Sequence, residues 1–168
     1  MEALKKLVLF HLDEQKFALD LNVVERGIRV VEITSVPKAP PFVSGVINMS
    51  GRIIPVLNTR ALLGLPDKEI GLDDHLLIAW AAGFKVALLM DEVIGVIDFN
   101  PQKFTASGGI FPEIGKVEGT VRLEGDIVFI YDLKGFVFRD DLSALTKEMS
   151  RETSPAITAT EPGMVEYV

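Results

Sequence analysis

The chain repeats itself. Shifted by 74 positions, residues 43–58, VSGVINMSGRIIPVLN, lie over residues 117–132, VEGTVRLEGDIVFIYD. Val43/Val117, Gly45/Gly119, Gly51/Gly125 and Ile53/Ile127 are identical, and Ile47/Val121, Met49/Leu123, Ile54/Val128, Val56/Ile130 and Asn58/Asp132 are conservative. A shift of 69 pairs a second set: Val8/Leu77, Leu9/Ile78, Lys16/Lys85, Phe17/Val86, Ala18/Ala87, Leu19/Leu88 and Val24/Val93. Chance explains matched apolar positions between any two alternating strands. It explains less well two glycines at the same spacing in the same pattern. Glycine belongs where a tight connection needs positive φ or where another backbone approaches closely. A duplication therefore constrains the fold: two similar units, each about five strands, the size of small barrels of the OB type. The halves run approximately over 7–69 and 76–143, and each alone would be marginal, which favours two barrels sharing one core.

The local signals agree with strands. Residues 7–12 and 16–19 read as a hairpin about Asp13-Glu14-Gln15. The proline-rich stretch 34–41 cannot be helical. Residues 43–49 and 52–57 are strands broken at Gly51, and Asn58 caps a short helix through Arg60–Leu63 that stops at Gly64. Residues 93–97 form another strand, Gly125-Asp126 turns 121–123 into 127–131, and Asp132 caps a last helix running on through Leu145. Residues 76–90, LLIAWAAGFKVALLM, are too short for a membrane span and carry Lys85; they read as two buried strands joined at Gly83. Thr146–Val168 has little apolar periodicity and is expected to be a disordered tail.

Charge and residue usage narrow the function. Seventeen basic against 24 acidic residues leave a net charge of −7, which argues against a protein that neutralises a nucleic-acid backbone or an anionic membrane. With no cysteine there is neither a disulfide framework nor a thiolate nucleophile, and the N-terminus lacks a secretory signal, so a cytoplasmic location is expected. No GxSxG, Walker-type or HExxH motif occurs, and Ser107-Gly108-Gly109 is an isolated turn signal. Asp73-Asp74-His75 invites a metal-dependent or acid–base reading, but consecutive residues point different ways and ligate one ion poorly. Neither catalysis nor a cofactor is expected. Surface recognition remains, with Arg26, Arg29, Arg52 and Arg60 as the side chains of the type that dominates binding hot spots.

Four ordered blocks carry a family likeness: the opening hairpin, VPKAPPFVSGVINMSGRIIPVLNTRALLGL (36–65), KVALLMDEVIGV (85–96) and VEGTVRLEGDIVFIYDLKGFV (117–137). Over about residues 7–145 the chain resembles the CheW-type coupling proteins of bacterial chemotaxis. The resemblance implies an all-β fold of two similar, interlocked five-stranded OB/SH3-like barrels with short helices. It implies a non-enzymatic adaptor that binds the regulatory domain of a CheA-type histidine kinase and the cytoplasmic tip of a chemoreceptor. A CheW-like module of a non-chemotactic pathway, such as pilus motility, is the alternative, and a metal-dependent enzyme using Asp73, Asp74 and His75 a distant one. The candidate partner contacts are Val24, Arg26, Gly45, Asn48, Ser50, Gly51, Arg52 and Ile53. Two of them depart from the family pattern, which usually carries Glu where this chain has Arg26 and Arg where it has Ser50. Charge placement selects partners more than it adds affinity, so these departures point to a dedicated partner.

Overall fold

The computed structural model describes residues 4–81, 83–106 and 117–133. The expected helix beyond Leu133, the tail and the Ser107-Gly108-Gly109 turn lie outside them. In chain order the strands are β1 (Lys5–Leu12), β2 (Gln15–Asp20), β3 (Val24–Arg29), β4 (Val43–Met49), β5 (Arg52–Asn58), β6 (His75–Ala81), β7 (Phe84–Met90), β8 (Glu92–Phe99), β9 (Thr105–Ala106), β10 (Val117–Leu123) and β11 (Asp126–Tyr131). The α-helix α1 (Thr59–Leu63) follows β5. It starts where the sequence places it: Asn58 Oδ1 accepts the Ala61 N–H at 3.2 Å, and Gly64 ends it in the left-handed conformation at φ 71°. No helix among the described residues is long and apolar enough to cross a membrane.

The strands form two sheets, in the orders β8-β1-β2-β11-β10-β9 and β3-β6-β7-β5-β4. Under the repeat, β1 corresponds to β6, β2 to β7, β8 to β3, β11 to β5 and β10 to β4, so the two orders are the same. The halves, however, have exchanged hairpins. The first hairpin sits in the sheet of the second half, and β6–β7 in the sheet of the first. The interlocking expected for the fold is thus an exchange of hairpins, and neither half forms a sheet from its own strands alone.

The correspondence extends to single residues. In the parallel pairs, Ile130 faces Ala18 and Tyr131 faces Leu19, while Val56 faces Ala87 and Leu57 faces Leu88. Bulges recur too: Glu25 in β3 and Ile94 in β8 are skipped by the register, as are Ser44 in β4 and Glu118 in β10. Both uses of glycine appear. Gly51 and Gly125 take φ of 85° and 87° in two-residue turns behind Ser50 (φ 52°) and Glu124 (φ 50°). The second of these turns is therefore Glu124-Gly125, one residue earlier than the sequence suggests. Gly45 and Gly119 instead allow close approach: a Cβ would run into the carbonyl oxygen of Thr34 at the first and of Thr105 at the second. Those crossing segments link sheet edges. Thr34, downstream of β3, exchanges two backbone hydrogen bonds with Val46 of β4 (2.9 and 2.8 Å), and β9, downstream of β8, pairs with β10.

Strand alternation sends side chains into three cores. Leu7, Leu9, Ala18, Val121, Val128 and Ile130 fill the six-stranded sheet. Ile47, Ile54, Val56, Leu76, Ile78 and Ala87 fill the five-stranded one. The opposite faces of the same strands, with Phe10, Phe17, Leu57, Leu77, Leu88 and Met90 among them, make a shared core between the sheets. Burying both faces explains why β1, β6 and β7 read as nearly continuous apolar runs.

Candidate functional site

Most of the candidate contacts lie at one end of the five-stranded sheet. By the registers, that end holds the start of β3, the end of β4, the start of β5 and the β6–β7 connection. Arg26, Ser50, Gly51 and Arg52 are exposed there. Val24 and Ile53 are half-buried against the shared core and anchor the exposed positions. Asn48 is buried and serves the turn, its Oδ1 accepting the Gly51 N–H at 2.9 Å. Asn48→Ala removes that acceptor and is expected to cost about 1 kcal/mol of stability in urea unfolding. Gly45 is buried under the Thr34 backbone and the Ile33 side chain, so its part is to admit that crossing.

Two residues that sequence reasoning did not single out complete this end. Interior-facing rows of the sheet run outward to it: Ile78 is followed by Trp80 on β6, Ala87 is preceded by Lys85 on β7, and Ile54 is preceded by Arg52 on β5. Arg26 faces Ile78 across β3–β6. Trp80 is 43% exposed on a strand whose residues 76–79 and 81 are at most 1% exposed. Lys85 Nζ lies 5.2 Å from the centre of its ring and 3.0 Å from Glu25 Oε1. The signal for Trp80 was present in the alternation of β6, but position along a strand does not reveal where a sheet ends.

Arg60 belongs elsewhere. Read from sequence as a surface arginine, it is buried at 7% exposure and binds two carboxylates. Its Nη1 and Nη2 donate to Asp13 at 2.9 Å each, and Nη2 donates to Asp91 at 2.7 and 2.8 Å. Asp91 Oδ2 also accepts the Asp13 N–H at 2.7 Å. Asp13 lies in the β1–β2 turn of one sheet, and Asp91 is the single residue between β7 and β8, where the chain passes from one sheet to the other. The guanidinium therefore ties the sheets together. The hydrogen bond from Arg60 holds the Asp13 carboxyl below its ordinary pKa. Burial works to raise Asp91, and the bonds from Arg60 and the Asp13 N–H outweigh it and lower it.

The Asp73-Asp74-His75 triplet does not converge. Asp74 is buried, with Oδ2 accepting the Gly71 N–H at 2.8 Å. His75 Nδ1 lies 3.3 Å from the Asp91 carbonyl, a contact that requires the Nδ1 proton, and Asp73 is exposed. The described residues contain no group of three or more His, Asp or Glu side chains placed to hold a metal ion. In the cleft beside Arg60, Asp74 and Asp91 also lie 3.7 and 3.5 Å from Lys68, while Asp67 and Glu69, which line it too, are exposed.

Comparisons with known proteins agree with this architecture. The CheW-like domain pattern matches residues 6–140. The chemotaxis protein CheW of Thermotoga maritima is 33% identical over 135 residues, covering 79% of this chain and 88% of that protein. The chemotaxis protein CheW of Bacillus subtilis is 26% identical over 153 residues, covering 90% and 93%. Among solved structures, the scaffolding protein TtCheW of Thermoanaerobacter tengcongensis superposes with a TM-score of 0.74 at 28% identity, covering 80% of this chain and 92% of that one.

Proposed function

The chain belongs to the CheW-like domain family, and from that premise we propose that it is a non-enzymatic adaptor joining the cytoplasmic tip of a chemoreceptor to the regulatory domain of a CheA-type histidine kinase. The observation that carries this reading is the gathering of Arg26, Ser50, Gly51 and Arg52, from separate segments, on one exposed end of the five-stranded sheet. Adaptors need contact surfaces that persist without a ligand, and side chains set on paired strands and a two-residue turn meet that need at little ordering cost. The names of its relatives, a chemotaxis protein and a scaffolding protein, favour the same role. The buried carboxylates Asp74 and Asp91 are held in structural pairs, which favours a contact role over chemistry. In this reading the protein works in the cytoplasm, where both partners present their binding regions.

The test is a pull-down of the full chain against the CheA-type kinase and the receptor-tip fragment encoded alongside it, followed by titration. Binding of both at micromolar concentration or tighter is expected. Binding to neither at that concentration overturns the adaptor reading.

A further inference from the structure

The repeat supplies an internal comparison for the exposed end of the five-stranded sheet. The six-stranded sheet has an equivalent end, built by the same strand positions. There His11 stands for Trp80, Lys16 for Lys85, Asp126 for Arg52 and Gly95 for Arg26. Its one lysine is paired: Lys16 Nζ lies 2.8 Å from Asp126 Oδ2, and His11 Nε2 lies 3.0 Å from Glu92 Oε2. In the five-stranded sheet Arg52 takes the place of the acid, so Lys85 cannot pair across to β5 as Lys16 pairs across to β11. It turns to Glu25 instead. Arg26 and Arg52 are left exposed, with no ion pair among the described residues. One frame, used twice, gathers acidic side chains (Glu14, Glu92, Glu124 and Asp126) at one end and exposed arginines at the other.

The cationic end also holds the chain's single tryptophan, exposed. Neighbouring strands lie about 5 Å apart, so Trp80, Lys85 and Arg52, on the adjacent strands β6, β7 and β5, form one patch with Arg26 on β3 at its side. Among the described residues, nothing beyond the chain neighbours lies within 4 Å of where a Cβ would stand at Gly51 or Gly83. An exposed tryptophan among cations is the composition of a binding hot spot. In a protein of net charge −7, the patch attracts an acidic surface that the rest of the molecule repels.

We propose that the Trp80–Lys85–Arg52–Arg26 patch is a docking surface for an acidic protein segment, one that sets carboxylates against Arg26 and Arg52 and an apolar side chain against the indole. The inference rests on the adaptor reading for its natural partners, and gives the chemistry that the engaged partner must carry.

Because Trp80 is the one tryptophan, its fluorescence reports occupancy of this surface. The full chain is titrated with the receptor-tip fragment and the kinase regulatory domain encoded alongside it. It is also titrated with a synthetic peptide of glutamates flanking a leucine, and with that peptide's lysine counterpart. A bound partner and the acidic peptide are expected to shift Trp80 emission, the lysine peptide to leave it unchanged, and affinity to fall with salt. Arg52→Glu, which breaks no ion pair within the described residues, is expected to weaken binding about ten-fold or more, and the lysine peptide to bind that variant instead. Trp80→Ala, followed by calorimetry, is expected to weaken binding about thirty-fold with unchanged thermal unfolding.

A partner that saturates the protein without moving Trp80 emission, or that binds Arg52→Glu as well as the parent, overturns the proposal and leaves the adaptor reading standing. Concentration-dependent burial of Trp80 in the protein alone, matched by sedimentation as a dimer or larger, also overturns it, the occupant then being a second copy. If kinase and receptor tip both fail to bind while the acidic peptide shifts Trp80, the adaptor reading falls and the docking surface stands.

Discussion

Arg60→Ala is expected to destabilise the fold by about 3 kcal/mol, lowering Tm by roughly 10 °C. The loss comes from what remains rather than from the contact removed. Asp91, whose side chain is 14% exposed, keeps its charge and the Asp13 N–H but loses the guanidinium that offset its burial. Asp13 lies at the surface and can turn to water, so the cost falls mainly on Asp91. Arg60→Lys keeps the charge but not the fork that serves two carboxylates at once, and an intermediate loss is expected. Urea unfolding of parent and variants gives the comparison, and an Arg60→Ala protein as stable as the parent would exclude the tie between the sheets.

The same cluster sets a pH dependence. Asp13 and Asp91 have folded-state pKa values below their ordinary ones. Their stabilisation is therefore complete above the ordinary carboxylate range and drains away as pH falls through the lowered values. Arg60→Ala removes most of the cause. The stability gap between parent and variant is expected to be full at pH 7 and to narrow below about pH 4.

The second large effect falls on Gly45 and Gly119. An alanine Cβ at Gly45 would meet the Thr34 carbonyl oxygen, with Ile33 Cγ2 at 2.8 Å; at Gly119 it would meet the Thr105 carbonyl oxygen and the Phe104 ring. Backbone cannot rotate aside as a side chain can, and Thr34 is fixed by both hydrogen bonds to Val46. Gly45→Ala and Gly119→Ala are each expected to cost about 3 kcal/mol, and Gly45→Asp, which adds a buried carboxylate, to prevent folding. Gly51→Ala is the control. Its site is open, so only the positive φ of 85° is penalised, by roughly 1 kcal/mol. Equal losses at Gly45 and Gly51 in denaturant unfolding would show that the crossing segment yields.

Much of this architecture is legible along the chain. Asn58 and Gly64 bound the helix because capping is a contact between near neighbours. Gly51 marks a two-residue turn because its positive φ is a local demand. β3 escaped notice because VERGIR carries two arginines, a glutamate and a glycine on an edge strand that buries little. The triplet 73–75 is legible as a poor site because consecutive residues point different ways, and Asp74 and His75 do take different partners.

The repeat, its paired glycines and the apolar runs were sufficient to determine that there are two like units of short strands. Which hairpin joins which sheet is a different kind of fact. A strand's own pattern states that both its faces are buried but not which edge it pairs with, and under the repeat β1 and β6 could have changed places. The tertiary structure made that choice. With it came the tie of Arg60 to Asp13 and Asp91, residues 47 and 31 positions away. The mouth of the five-stranded sheet was decided there as well. Trp80 and Arg52 continue rows that are buried further in, and a row becomes surface only where the sheet stops, which is a property of the assembled strands.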